Sequence, residues 1–178
     1  MRTLFVSAVF LILVPGIVLA GSHGMGKKNY GPDLAPVPGY LGSQDEAVGL
    51  VKTISDFDVQ ETADRLENLI EEKGLTLFAR VDHQQNAAGV GLQLPPTTVL
   101  IFGNPNLGTP LMQAQRTIGI DLPQKMLIWE DEEGETWIAF NAPAYLKWRH
   151  RVNDLEDIIQ QIETALTQLA QQAGGMEE

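Results

Sequence analysis

The clearest periodic pattern in the chain follows a polar start at Asp58. Apolar residues recur there at the three- and four-residue spacing that gives one helix face, at Val59, Ala63, Leu66, Leu69 and Ile70. Glu61 completes a capping box with Asp58, and Gly74 provides the left-handed residue that commonly ends a helix. The pattern therefore predicts a helix over residues 59–73.

Other segments alternate between apolar and polar residues or carry short apolar runs, as strands do. Residues 75–83 alternate, which predicts a half-buried strand that ends with His83 on the apolar face. Residues 97–102 are continuously β-favouring, which predicts a central strand covered on both faces. Residues 48–54 predict a first strand, and residues 125–131 with 135–141 predict a hairpin.

Helices are predicted between and after these strands. A short helix over residues 111–118 follows Thr109 and Pro110, and another begins at Pro143. Asn153 caps a last helix, whose apolar stripe is Leu155, Ile158, Ile159, Ile162, Leu166 and Leu169. We therefore expect a single compact α+β domain with α/β-like layers, in which two long helices and shorter ones pack on a mixed sheet of about five strands.

The N-terminus has the pattern of a secretory leader. Arg2 precedes an apolar run over residues 4–18, and Ala20 ends a small-residue cleavage pattern. We predict a signal peptide over residues 1–20, cleaved after Ala20, and hence a periplasmic or secreted protein without a stable membrane anchor. Residues 21–43 are rich in Gly and Pro and predict a tether, followed by a domain over residues 44–172 and a disordered tail over residues 173–178.

Composition excludes several classes of function. The chain has no Cys, so a disulfide framework, a thiol nucleophile, an iron–sulfur cluster and a c-type haem are not expected. The formal net charge is −11, and becomes −12 if Arg2 leaves with the leader. Because such a surface repels phosphate backbones, nucleic acid is not expected as a partner. No motif in the sequence identifies a cofactor, so the cofactor is unknown at this point.

The segment FGNPNLGTPLMQ, residues 102–113, stands out for its glycines, prolines and asparagines. Gly103 and Gly108 have the spacing of a phosphate-binding loop. However, Thr109 and Pro110 stand where that loop needs Lys and a hydroxyl side chain. A bound nucleotide is therefore not expected.

The same loop fits a site for a small polar or anionic ligand. A helix with Thr109 as its N-cap would leave the N–H groups of Leu111 and Met112 free beside Asn104, and such groups hold anions. The alternative is a capped corner, in which asparagines satisfy the turn backbone and no ligand is needed. The candidate ligand-binding residues of the loop are Gly103, Asn104, Gly108 and Thr109.

Two histidines of the domain are candidates for chemistry. His83, beside Asp82, and His150, beside Arg149, could exchange protons because imidazole titrates near neutral pH. With Asp82 they could also hold a metal, although no ligand spacing enforces this. The structural alternatives are a hydrogen-bonded His83 and a His150 that caps a helix end. Arg149 lies in the basic run 147–151, which could attract an anionic ligand.

Several short motifs together resemble the domain of unknown function 302 family. They lie in the same order over most of residues 48–170. They are Val81-Asp82-His83, Phe102-Gly103-Asn104-Pro105, Gly108-Thr109-Pro110-Leu111-Met112, Asp121-Leu122-Pro123 with Lys125, Pro143, Tyr145-Leu146 and Arg149-His150. The resemblance implies a small domain of helices against a mixed sheet, with a homodimer as its expected assembly. It implies no reaction.

Three hypotheses for the function follow. The first is an exported domain that binds a small polar or anionic ligand with Asn104, Thr109, His83 and His150. The second is an enzyme that uses Asp82 and His83, alone or with a metal, for proton transfer. The third is a dimeric interaction module with a surface patch, whose tryptophans would be Trp129, Trp137 and Trp148.

Overall fold

The structure, a computed structural model, describes residues 48–176. The predicted signal peptide, its cleavage point, the 21–43 tether and the start of the domain at residue 44 lie outside these residues. Among residues 48–176, no helix combines the length and the hydrophobicity needed to cross a membrane.

Five strands and five α-helices make up the described chain, which is a single compact α+β domain as expected. The strands are β1 (Leu50–Ser55), β2 (Thr76–Asp82), β3 (Thr97–Gly103), β4 (Gln124–Glu130) and β5 (Thr136–Asn141). The helices are α1 (Val59–Glu72), α2 (His83–Gly89), α3 (Pro105–Ala114), α4 (Pro143–His150) and α5 (Glu156–Ala173), with a 3-10 helix at Arg116–Ile120. The predictions for α1, α5 and all five strands are confirmed to within a few residues, although the N-cap of α5 is Leu155 and not Asn153.

The ends of two predicted elements need correction. His83 begins α2 instead of ending β2, because the Asp82 carboxylate accepts the Gln85 backbone N–H at 2.8 Å and caps a new helix. Residues 173–176 do not begin a disordered tail. The Asp56 amide donates to the Gly174 carbonyl at 2.9 Å and holds Gly174 against the β1–α1 turn, and the Met176 amide donates to the Gln171 carbonyl at 3.0 Å.

The sheet is antiparallel throughout, with the strand order β1-β5-β4-β3-β2. The expected mixed sheet is therefore wrong. The β1–α1–β2 segment looks like a unit that makes parallel neighbours, but α1 carries the chain from one edge of the sheet to the other. β5 then pairs with β1, and β3 pairs with β2, so the two parallel strands never become neighbours.

One face of the sheet, the inner face, carries the core. α1 and α5 pack side by side over it. Its fully buried side chains are Leu100, Phe102, Met126, Ile128 and Ile138, and those of the helices are Ala63, Leu66, Ile70, Leu166 and Leu169. Burying large apolar side chains of this kind contributes about 1.5–3 kcal/mol each.

The opposite face, here called the outer face, is apolar but partly exposed. The strand registers place its side chains on one surface: Leu50, Ile54, Val99, Ile101, Leu127, Trp129 and Trp137. The expectation that residues 97–102 are covered on both faces is wrong, since Val99 and Ile101 remain half-buried. The pattern of β3 predicted burial on both faces because both are apolar, but the helices cover only one of them.

Asp131 organises the turn between β4 and β5. Its Oδ1 accepts the backbone N–H groups of Glu135 at 2.8 Å and Glu133 at 3.0 Å, and its Oδ2 accepts the Trp137 indole N–H at 2.7 Å. These bonds favour the carboxylate, foremost the one from the Glu135 amide, so the pKa of Asp131 lies below its ordinary value of 3.8.

We predict that Asp131→Asn lowers the thermal midpoint at pH 7 by a few degrees. The amide has one oxygen, so its NH₂ group would face the Trp137 indole N–H, donor against donor. A depressed folded-state pKa stabilises the fold above the ordinary value of 3.8 and loses this effect as pH falls through the folded-state pKa. The difference between the variants should therefore shrink when melting is repeated near pH 3.

Glu132→Gln, in the same exposed turn, is the matched control and should melt like the wild type at both pH values. An unchanged midpoint of Asp131→Asn at pH 7 would contradict the role of the carboxylate in this turn.

Candidate functional site

The motif loop turns the end of β3 directly into a helix. Asn104 is the N-cap of α3 and accepts the Asn106 N–H at 2.9 Å, with Pro105 at the first helical position. The predicted start at Thr109 is therefore wrong by more than one turn. Asn104-Pro105 and Thr109-Pro110 are both cap-and-proline pairs, and the first one begins the helix because it follows the strand without a gap.

This early start changes the chemistry of the loop. Leu111 and Met112 lie inside α3, so their N–H groups do not form the free helix start expected for an anion. The amides of Leu107 and Gly108 donate to the Asn104 carbonyl, each at 3.0 Å. Pro110 sits inside the helix and leaves the carbonyl of exposed Asn106 without its helical donor.

A cavity of about 270 Å³, here called the motif pocket, lies beneath this loop. Its wall combines the end of β3 and α3 with the segment before β4 and one face of α5. The contributing residues include Gly103, Asn104, Leu107, Gly108, Thr109 and Met112 from the motif, Leu122, Pro123 and Gln124 from the segment before β4, and Ile162, Ala165, Leu166 and Leu169 from α5. Phe78 and Met112, 56% and 36% exposed, lie at its rim.

The wall of the motif pocket is nearly all apolar. None of its described lining residues is Asp, Glu, Lys, Arg or His, and the side-chain polar groups come from Asn104, Thr109 and Gln124. An apolar cavity of this size can accept apolar ligands, since its wall offers water few hydrogen-bonding partners.

Two glycines keep this cavity open. Neither Gly103 nor Gly108 has a left-handed backbone, so neither needs to be glycine for its conformation. A Cβ on Gly108 would stand 3.7 Å from Leu122 Cδ1, and one on Gly103 would stand 3.5 Å from Pro123 Cβ, both ordinary contacts. Gly108 inside a helix costs up to about 1 kcal/mol relative to Ala. The absence of a side chain at Gly108 leaves space in the pocket.

His150 forms a polar cluster beside the pocket wall. Its Nε2 lies 2.5 Å from Asp121 Oδ2, and its Nδ1 lies 3.1 Å from the hydroxyl of Thr117. Arg149 Nη1 reaches the other Asp121 oxygen at 3.2 Å. Only 7% of the His150 side chain is exposed, so α4 is locked to the segment that continues into Leu122 and Pro123.

Three basic side chains of the run 147–151, those of Lys147, Arg149 and His150, already have partners. Arg149 pairs with Asp121, and Lys147 pairs with Glu156 at the start of α5. Of the ligand-binding residues expected from sequence, Gly103, Asn104, Gly108 and Thr109 line one pocket, while Arg149 supports the segment next to it.

Asp82 and His83 lie at the other end of the sheet. Asp82 pairs with Thr98, whereas the motif pocket begins at Gly103, so about 17 Å of strand separates them. His150 lies at the pocket end through Asp121, so the structure does not bring His83 and His150 together. Within residues 48–176, no three His, Asp or Glu side chains form a group that could hold a metal.

Sequence reasoning missed Asp121, Gln124 and the α5 wall. Asp121, Leu122 and Pro123 were visible as part of the family resemblance, but nothing local connects Asp121 to a histidine 29 residues later. Ile162, Leu166 and Leu169 have ordinary core spacing, so the pattern does not distinguish a cavity wall from a core contact.

We predict that His150→Leu destabilises the protein by about 2–3 kcal/mol in chemical denaturation, because a buried hydrogen-bonded partner of Asp121 is removed. Arg149→Leu is the matched control. It removes the exposed partner of the same carboxylate, so it should cost less than about 1 kcal/mol. Equal losses for both variants would show that burial of His150 contributes nothing.

Comparison with known proteins identifies the family. Two curated relatives, fluoride-specific ion channel FluC 1 of Brucella suis biovar 1 (strain 1330) and FluC 1 of Brucella abortus biovar 1 (strain 9-941), are each 46% identical over 110 residues. The match covers 62% of this chain but 43% and 41% of those proteins, so the chain spans less than half of their length.

A solved structure shares the fold. The crystal structure of an uncharacterized conserved DUF302 protein from Bacillus stearothermophilus has a TM-score of 0.64 and 21% sequence identity, over 71% of this chain and 99% of that chain. Residues 51–173 match the family described as Domain of unknown function DUF302. Because this match covers more than half of the chain, the protein is a member of the DUF302 family, as its motifs indicated.

Proposed function

We propose that this protein is an exported small-molecule-binding domain whose ligand occupies the motif pocket. The observation that carries the proposal is Gly108, a helical glycine with an ordinary backbone that faces Leu122 across the pocket. Alanine would fit there and would favour the helix. A residue that lowers helix stability and enlarges an apolar cavity is explained by a ligand that fills the cavity.

The chemistry of the pocket revises the ligand expected from sequence. Taking an ion out of water costs several kcal/mol unless a partner charge meets it. The described wall has no charged side chain to do so, although the loop does provide Asn104 and Thr109. We therefore propose an apolar ligand with a limited number of polar groups, instead of a small anion.

The proposal of export rests on the sequence of residues 1–20, with Arg2, the apolar run and Ala20. A domain that acts outside the cytoplasm meets small molecules that enter from the surroundings. A ligand-binding role is consistent with that location.

The Brucella relatives suggest how such a domain is used. They are named fluoride-specific ion channels, and more than half of each lies beyond the match to this chain. We propose that domains of this kind can serve as one part of a larger protein. Fluoride itself is a poor fit to the motif pocket, because a small anion needs positive or hydrogen-bonding partners that its apolar wall does not provide.

We predict that Gly108→Leu blocks the pocket. The larger side chain should abolish the fluorescence gain of the neutral probe 1-naphthylamine, and should remove any ligand retained in native mass spectrometry. Gly108→Ala should weaken binding and raise the free energy of unfolding by up to about 1 kcal/mol. Both effects are measured on the mature protein, by fluorescence titration and by denaturation.

Gly89→Ala in α2 is the matched control, because its new Cβ would meet nothing within 4 Å and Gly89 does not line the motif pocket. It should bind the probe as the wild type does. Unchanged probe binding by Gly108→Leu would contradict a role for this pocket.

A second proposal, self-association, is favoured by the outer face. Trp129 and Trp137 lie half-buried beside Leu127 on this face, while Lys52 and Lys125 are its charged strand residues. In the described strands, no Asp or Glu points to this face, although the chain carries 23 acidic residues. Two copies can therefore meet here without bringing carboxylates together.

The size of the outer face suits a second copy. A sheet of five strands, about 4.8 Å apart and about 20 Å long, offers roughly 500 Å² per copy. Two copies would bury roughly 1,000 Å², the minimum that specific interfaces reach. Trp148 is not part of this surface, since it lies on α4 against Tyr145.

We predict a dimer that Leu127→Lys converts to a monomer, because the new lysine, with Lys52 and Lys125, would place three like charges of each copy against those of its partner. Sedimentation velocity from low to high micromolar concentration measures this. Val90→Lys, which alters an exposed apolar residue outside the strands, should leave the dimer intact. A wild-type protein that stays monomeric over the whole range would refute the proposal.

A further inference from the structure

We infer that the ligand of the motif pocket is a neutral aromatic compound of one or two fused rings, with a hydroxyl or carbonyl group at one end. The inference rests on the proposed function and names the chemical class of its ligand. Four properties of the pocket lead to it: its volume, its neutrality, the shape of its wall and the polar side chains in that wall.

Volume sets the size of the ligand. An apolar cavity of about 150 Å³ holds benzene, so by proportion the motif pocket of about 270 Å³ holds a compound of about eleven non-hydrogen atoms. That size corresponds to two fused rings with one substituent, or to one ring with a short side chain.

Neutrality follows from the wall. No charged side chain of the described residues lines the pocket, and the nearest ionic cluster is already paired, with Asp121 held by His150 and Arg149. A carboxylate or an ammonium inside would lose its hydration without gaining a partner charge. The enclosed part of the ligand is therefore uncharged.

The shape of the wall favours rings over a flexible chain. Gly103 and Gly108 leave stretches of peptide without side chains, against which a flat ring can lie. Phe78, Phe102 and Met112 add aromatic and thioether contacts, which are favourable next to an aromatic ring. A rigid ring also loses less conformational entropy on binding than an alkyl chain of the same size.

The polar end of the ligand is assigned to Thr109 and Gln124. Both line the pocket, and neither side chain makes a hydrogen bond with another described residue. The Asn104 oxygen, by contrast, is used by the Asn106 N–H. A hydroxyl and a primary amide can each donate and accept hydrogen bonds, so they can pair with either a phenolic hydroxyl or a ring carbonyl.

The experiment is isothermal titration of the mature wild-type protein at pH 7 with four probes. They are 2-naphthol, naphthalene, 2-naphthoate and decan-1-ol. We expect 2-naphthol to bind most tightly. Naphthalene should bind about tenfold more weakly, the effect of one lost neutral hydrogen bond. The charged 2-naphthoate and the flexible decan-1-ol should both bind more weakly than 2-naphthol.

Variants locate the polar contact. Gln124→Leu should weaken the binding of 2-naphthol about tenfold and leave the affinity for naphthalene unchanged. A general loss of packing would weaken the binding of both compounds. Gln113→Leu is the matched control, since Gln113 is exposed on α3 and does not line the pocket. It should change neither affinity.

The outcomes separate the two proposals. Tighter binding of decan-1-ol than of 2-naphthol would overturn the aromatic class, and tighter binding of 2-naphthoate would overturn neutrality. In both cases, loss of probe binding in Gly108→Leu would still show that the motif pocket is the binding site.

Equal binding of 2-naphthol and naphthalene by the wild type would overturn the polar contact. Failure of all four probes to bind would overturn the ligand class, and the proposed function would fall with it if Gly108→Leu also left 1-naphthylamine binding unchanged.

Discussion

The fold depends on covering one apolar face of an antiparallel sheet with helices from both ends of the domain. α1 follows β1 directly along the chain, whereas α5 follows all five strands. Arg65 links the two, donating to the backbone carbonyls of Gln172 and Ala173 at 3.0 Å each, while its guanidinium lies 4.1 Å above the Phe57 ring. The end of α5 is thereby fixed beside α1, and α5 can then cover the inner face.

The motif pocket is a gap in this covering. Protein interiors are normally packed without voids larger than a water molecule. Here α3 and α5 approach the end of β3, but Gly108 places no side chain between α3 and Leu122. The apolar walls therefore lack the contacts that a filled core would give, and a ligand would restore them. Burial of apolar surface, which stabilises the domain, would therefore also favour the binding of an apolar ligand in the cavity.

The polar residues around the domain have separate tasks, which their partners define. Asp82 caps α2 at one end of the sheet, and Asp131 orders a hairpin turn. Asp121 joins His150 to the pocket wall at the other end. Three similar carboxylates therefore act as a helix cap, a turn acceptor and a buried hydrogen-bond partner. The residue type alone does not distinguish these roles, because each depends on which donors the fold places nearby.

Features that arise from neighbouring residues could be predicted from the amino-acid sequence alone. The period of three to four residues gave α1 and α5, alternation gave the strands, and the motif residues gave the family. It also pointed to Gly103, Asn104, Gly108 and Thr109 as one group, because they lie within two turns of each other. These features depend on local spacing, which is fully visible in the printed sequence.

Contacts between distant residues, in contrast, depend on the tertiary structure. Strand order made the sheet antiparallel and left an apolar outer face, although β1–α1–β2 read as a parallel unit. The fold separates His83 from His150 and brings His150 within hydrogen-bonding distance of Asp121. It also places α5 against the motif loop, where the two form the wall of the pocket. Contacts between residues tens of positions apart depend on the competition among all possible packings of the chain, so no local pattern records them.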